Sequence, residues 1–333
     1  MRTEQSDSIA PEILQMPKAE LHRHLELCMR PSTIRELAPQ FGIDLPDDQA
    51  FLNRFVILEP MQDLGAVLNK FLDTQKLLAS EEILERLAFE ACEDAYKNEN
   101  IHWLELRYAP TFIQQGHEHL SFEKIHQAIC RGVEAAKKAY PMRVGLICIL
   151  QRILPLDVTE RVTNFVLEQA DSFVGIDLAD NEVGFDCKPF APFFAKAKAA
   201  GLKITVHSGE ANVPEAPQYV VDAIEHLGAE RIGHGVQIYR SPEVMEFVRE
   251  RGVTLELCPT SNWLTQAIPN LDQHPFKVLM DFGLKVTINT DDPVIFNTDL
   301  NREYQLLHEK LGLSFAQLKA CSEQARASSF IRT

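Results

Sequence analysis

The sequence predicts an α/β fold, a (β/α)8 TIM barrel with extra helices inserted after strand 1 and at the C-terminus. Three observations predict it. Eight short apolar, β-branched runs bounded by turn or polar residues recur along the 333 residues. Segments of helical length and period lie between most of them. From residue 20 to about 290 the units repeat every ~34 residues, which fits one strand, one helix and the return. Eight such units close most economically into a barrel. A doubly wound open sheet would use the same string of elements, but no Gly-rich phosphate turn follows any of the runs.

The expected strands are 19–25, 101–107, 144–150, 173–178, 203–207, 231–234, 253–257 and 284–289. About 75 residues separate the first from the second, with Pro46 and Pro60 between them. That is too long for one crossover, so 31–100 is expected to hold extra helices that form a lid over one end of the barrel. Segment 121–139 opens with Ser121 and places apolar residues at Ile125, Ala128, Ile129, Gly132 and Val133, the spacing of one helix face. Segments 157–170, 188–200, 214–227, 242–251 and 274–282 behave similarly. After strand eight a loop through Asp291 and Pro293 leads into two closing helices, 301–312 and 314–330. No Gly/Ser- or Pro-rich linker divides the chain, so 1–333 is expected to be one domain.

Thirty-three Lys and Arg against 48 Asp and Glu leave a net charge of −15. That balance argues against a nucleic-acid partner, which needs a basic face, and against an anionic membrane surface. Seven cysteines, an odd number with no C-x-x-C pair, fit buried reduced thiols. The first eight residues are polar and lack a signal-peptide core, and no run approaches the ~18–20 apolar residues of a membrane span. A cytoplasmic location is expected. Nothing here fixes the oligomeric state.

In an α/β barrel the chemistry collects at the C-terminal ends of the strands. Here strand one ends in His22-Arg23-His24, strand five in His207-Ser208-Gly209-Glu210, strand six in Gly233-His234-Gly235 and strand eight in Asn289-Thr290-Asp291-Asp292-Pro293. Each has a plain structural explanation taken alone. His207 would be a hydrogen-bonded core histidine, His234 part of a tight turn, Glu210 a helix cap and Asp291-Asp292 a turn before proline. His22 and His24 are two apart and so share one strand face, where burial is costly unless something binds them. Jointly, three His and one Asp at one mouth supply the N/O ligand set of a divalent metal, most simply Zn²⁺ with one position open for water. A metal-bound water ionises near pH ~7. Glu210 and His234 then remain as acid/base groups and Asp292 as a polar contact for substrate. The residues thus lead to a metal-assisted hydrolase and leave its electrophile open.

The motifs Pro17-Lys18-Ala19-Glu20-Leu21-His22-Arg23-His24-Leu25, Leu104-Glu105-Leu106-Arg107-Tyr108-Ala109-Pro110, Gly175-Ile176-Asp177-Leu178-Ala179, Thr205-Val206-His207-Ser208-Gly209-Glu210, Arg231-Ile232-Gly233-His234-Gly235 and Asn289-Thr290-Asp291-Asp292-Pro293 together resemble the adenosine deaminase family of metal-dependent hydrolases. Order, spacing and strand position agree from about Pro17 to Phe330. The cytidine-deaminase type, which needs H-x-E with P-C-x-x-C, does not fit. The resemblance implies one Zn²⁺ per chain held by His22, His24, His207 and Asp291. It implies that Glu210 protonates purine N1, that His234 orients or deprotonates the zinc water, that Asp291 also hydrogen-bonds that water, and that Asp292 binds N7. The product is then the 6-oxopurine plus ammonia.

Two positions depart from the family pattern. Adenosine-binding members usually read H-x-H-L-D-G-A, with the Asp on the ribose 5′ side; here the segment is His24-Leu25-Glu26-Leu27-Cys28. The family's Ala-Gly after the fourth strand, whose N–H approaches purine N3, is Ala179-Asp180. Glu26 and Asp180 are therefore expected to touch the substrate's sugar side and to tune which aminopurine is accepted. The expected substrate is adenosine or a modified adenosine. The alternative is adenine deamination, on the free base or an N6-substituted adenine. A silent relative that keeps only the barrel would be expected to lose Glu210 or a ligand, and a zinc hydrolase of esters or lactams has no need of Asp292. Phe51, Phe55, Leu58 and Met61 in the insertion could cover the purine, but core contacts within the insertion are the better reading.

Overall fold

The computed structural model describes residues 9–61 and 71–332. The polar first eight residues, and 62–70 of the expected lid, lie outside the described residues. Eight parallel strands form the barrel: β1 (Lys18–His24), β2 (Ile101–Tyr108), β3 (Arg143–Gln151), β4 (Gly175–Ala179), β5 (Lys203–Ser208), β6 (Arg231–His234), β7 (Thr254–Leu257) and β8 (Lys285–Ile288). They follow one another in sequence order around the sheet. The seam between β8 and β1 closes by backbone hydrogen bonds from His24 N–H to the Asp291 carbonyl (2.9 Å) and from Asp291 N–H to the His22 carbonyl (3.0 Å). Side chains complete it. Asn289 Oδ1 accepts the Leu21 N–H at 3.0 Å, and Glu20 Oε1 accepts both the N–H and the hydroxyl of Thr290 at 2.6 Å.

Four helices start where a serine caps them. Ser80, Ser121, Ser241 and Ser314 each accept an N–H from the first turn of the following helix, and Ser314 with Gln317 forms a capping box. Within the insertion after β1 lie helices Pro31–Leu37, Asp48–Phe55 and Glu81–Glu99. The last packs against Phe122–Ala139 backbone to backbone. A Cβ at Gly132 would stand 2.2 Å from the Glu85 carbonyl oxygen, so only glycine allows that approach. Phe51 and Phe55 are buried in the main core and do not face the barrel mouth, as the core reading expects. Leu58 is exposed, and Met61 packs on a smaller cluster of Leu27, Ile57, Leu264, Ile295 and Phe296.

The segment 214–227 is not one regular helix. It runs as Ala216–Asp222, widens into a π turn at Ala223–Leu227 and stops at Gly228 with φ 73°. A helix at Pro259–Leu264, directly after β7, has no counterpart among the expected elements. The two closing helices are Leu300–Leu311 and Phe315–Ser328. Among the described residues no helix is long and apolar enough to cross a membrane.

Glu303, on Leu300–Leu311, is fully buried and accepts hydrogen bonds from Thr260 N–H (3.0 Å) and the Thr298 hydroxyl (2.5 Å). Burial pushes its carboxyl up to about 7. A carboxyl raised in the folded state contributes stability that is complete below its unfolded value and is lost as pH rises through the folded one. Glu303→Gln should therefore destabilise the protein less at pH 8 than at pH 4.5, by about 1–3 kcal/mol in urea melts. A penalty independent of pH would contradict this.

Candidate active site

The C-terminal ends of β1, β5 and β8 bring together four side chains that could hold a metal ion. Nε2 of His22 and Nε2 of His24 each lie 3.2 Å from Asp291 Oδ1, and the Nε2 atoms of His24 and His207 are 3.2 Å apart. Pairing of His207 with Gly233 and of Ser208 with His234 sets β5 and β6 side by side. His234 Nε2 then lies 3.7 Å from Glu210 Oε2 and 3.8 Å from Asp291 Oδ2. Burial pushes the imidazoles of His207 and His234 down to about 3, so both are neutral. His22 Nε2 is fully buried with no hydrogen-bond partner. An orphaned imidazole nitrogen facing two further imidazoles and a carboxylate suits a divalent metal, and the donor set fits one.

Above these groups opens a cavity of about 280 Å³. His24, Glu26, Asp180, His207, Glu210, His234, Asp291 and Asp292 all line it; His22 lies beneath its floor. Burial and the neighbouring Asp291 push the Glu210 carboxyl up to about 7, and a hydrogen bond from Thr265 reaches Glu210 Oε1 at 3.2 Å. Burial and Asp291 likewise push Asp292 well above the usual carboxylate range, and its buried Oδ1 has no partner. Glu26 Oε1 accepts the Ala109 N–H at 2.6 Å, while Oε2 is buried and unpartnered. Asp180 has φ 85°, the left-handed region natural to glycine, and its side chain accepts from Gln151 Nε2 (3.1 Å) and Asn181 N–H (2.8 Å). The outer wall is apolar, with Phe71, Leu72, Phe112 and Ile153.

Sequence reasoning passed over the groups that aim the histidines. Glu256 Oε2, on β7, lies 2.7 Å from His22 Nδ1, and Asp177 Oδ2, on β4, lies 2.9 Å from His207 Nδ1. Arg107 on β2 donates to both carboxylates at 2.7 Å. Arg231 donates to the other Glu256 oxygen at 2.6 Å and to Glu105 at 2.5 Å, and Glu105 accepts from Ser329 and Phe330 of the C-terminal segment. A signal was present: charged residues inside apolar strands are expensive unless paired. The lining role of Phe71 and Leu72 had no signal in the sequence.

The adenosine deaminase family model matches residues 17–333. The chain belongs to the adenosine deaminase family. It is 37% identical over 330 residues to the adenosine deaminase of Shewanella halifaxensis, covering 96% of this chain and 97% of that one. It is 35% identical over 319 residues to the adenosine deaminase of Erwinia tasmaniensis, covering 95% of each. A solved amidohydrolase from Burkholderia ambifaria with bound Zn superposes with a TM-score of 0.87 at 26% identity, over 96% of this chain and 87% of that one. This family member is thus a deaminating hydrolase, and its His/Asp cluster suggests a metal.

Carboxylates paired with metal-binding histidines fix ring orientation and raise ligand basicity. Glu256→Gln should weaken metal binding ~10–100-fold in chelator competition, the range typical of these groups. Affinity equal to wild type would remove Glu256 from the support of the site.

Proposed function

We propose that this protein catalyses zinc-dependent hydrolytic deamination of a 6-aminopurine nucleoside, adenosine plus water giving inosine plus ammonia. The convergence of His22, His24, His207 and Asp291 beneath Glu210 and Asp292 carries the reading. The 3.2 Å separations of His22 and His24 from Asp291, and of His24 from His207, would let these four residues hold one Zn²⁺ per chain, an ion that takes such N and O donors. When bound, the cation supplies the Lewis acidity that makes water a nucleophile near neutral pH.

The chain's own residues do the rest. Glu210, raised to about 7, can hold a proton at neutral pH and donate it to purine N1, which makes C6 more electrophilic. Asp292, pushed up by burial and by Asp291, can donate to the lone pair of N7. His234 and the second oxygen of Asp291 face the attacking oxygen and orient it. Ammonia leaves from the tetrahedral C6 adduct. C6 and N9 lie at opposite ends of the purine, so a sugar on N9 points away from the histidines toward Glu26, Asp180 and the apolar wall. The insertion 31–100, through Phe71 and Leu72, serves as the cover that excludes water. Seven unpaired cysteines support a cytoplasmic location. The charge of −15 supports a small-molecule substrate and no nucleic-acid partner.

Relatives named for adenosine favour the nucleoside over free adenine. Ultraviolet assays should show turnover of adenosine exceeding that of adenine; the reverse preference would overturn the assignment. Glu210→Gln should retain metal and lose ~10²–10⁴-fold in kcat, as a lost proton donor does. Unchanged turnover would exclude it from the mechanism. Asp180→Gly should alter relative kcat/KM among adenosine, 2′-deoxyadenosine and 5′-methylthioadenosine, and identical ratios would remove Asp180 from the sugar side.

A further inference from the structure

Behind His234 runs a hydrogen-bond chain that decides which nitrogen of its ring bears the proton. The chain begins at a group without ambiguity. The backbone N–H of Phe276 can only donate, and it donates to Nδ1 of His274 at 3.0 Å. A ring that accepts at Nδ1 carries its proton on Nε2. His274 Nε2 lies 3.2 Å from Asn262 Oδ1, which therefore accepts. The other end of that amide is Nδ2, 3.0 Å from Nδ1 of His234. An amide nitrogen only donates, so His234 Nδ1 accepts and its proton sits on Nε2. Turning the Asn262 amide over would set two donors against each other at His274. Asn262, His234 and His274 are at most 3% exposed, so solvent does not compete for these groups.

The reacting side agrees. His234 Nε2 faces Glu210 Oε2 at 3.7 Å and Asp291 Oδ2 at 3.8 Å. An N–H at Nε2 suits the ionised Asp291 carboxylate, and a lone pair there would be repelled by it. The two relay residues come from the segment after β7. Asn262 sits on the helix Pro259–Leu264, and His274 lies just before Phe276–Asp281.

We propose that His274 is a positioning residue that, through Asn262, locks His234 as the Nε2–H tautomer. His234 then meets the oxygen that attacks C6 as a hydrogen-bond donor, not as the base that removes its proton. Asp291 is left as the acceptor facing that oxygen. This inference rests on the deaminase reading above and assigns a direction to one of its hydrogen bonds.

The test uses ¹⁵N-histidine-labelled, zinc-loaded protein. Long-range ¹H–¹⁵N correlation spectra distinguish the tautomers, and His234→Gln identifies the ring. Nε2 protonation is expected at both His234 and His274. Asn262→Asp offers two acceptor oxygens and should turn His234 to its Nδ1–H form. The cost should be ~10²–10⁴-fold in kcat with KM and zinc content near wild type, on the scale that a wrong histidine tautomer costs a serine protease. His274→Gln presents an acceptor and a donor in the same order and should retain activity, whereas His274→Leu should lose it. This pair decides the matter even where Asn262→Asp does not fold. Nδ1 protonation of His234 in the wild type would overturn the inference, as would equal effects of Gln and Leu at 274. Failure of wild type to deaminate adenosine would instead overturn the parent reading, since the spectra report tautomers whatever the substrate.

Discussion

The closure of the barrel between β8 and β1 is the constraint on which the site depends. Paired backbone bonds tie Asp291 to His22 and His24, residues separated by almost the whole chain. The turn out of β8 holds Asp291 at φ 63°, a left-handed conformation that a non-glycine residue adopts only where its surroundings over-determine it. In that conformation the Asp291 backbone continues the seam while its carboxylate reaches both histidines of β1. Opening the seam would displace the Asp291 carboxylate and both histidines of β1 at once.

Beneath that ring of donors lies a buried layer of alternating charge. Glu256 and Asp177 each aim one histidine, and a single guanidinium, Arg107, satisfies both carboxylates. Arg231 extends the layer to Glu105, which accepts the Phe330 N–H, and donates directly to the Ser328 carbonyl, with the Phe330 ring 3.5 Å from the guanidinium. Ion pairs so deeply buried offset a large desolvation penalty and are weak evidence of stability. Their value here is orientation: charges this deep tolerate few arrangements, and the histidines inherit that restriction.

The same division of labour runs through the mouth. Groups near the histidines are polar and partly unpartnered, as Glu26 Oε2 and Asp292 Oδ1 show. Groups farther out are apolar. Asp180 joins the two zones through its bond to Gln151, at the expense of a backbone conformation that glycine would adopt more easily.

By itself the sequence determined the eight strands and their order, and it singled out the candidate residues at the strand ends, because those features are written in local pattern. Apolar runs of strand length mark the barrel, and His22, His24, His207, Glu210, His234 and Asp291 each stand at the end of such a run. Tertiary structure alone decided what aims them. Glu256 and Asp177 look in sequence like misplaced charges, and Asn262 and His274 carry no mark of a site, until the fold sets them within hydrogen-bond distance of the imidazoles or of each other. The physical reason is that a strand end is a one-dimensional property, readable from neighbours along the chain. A hydrogen bond between residues on different elements, here 12 to 234 positions apart, exists only once the closed barrel has fixed where each strand stands.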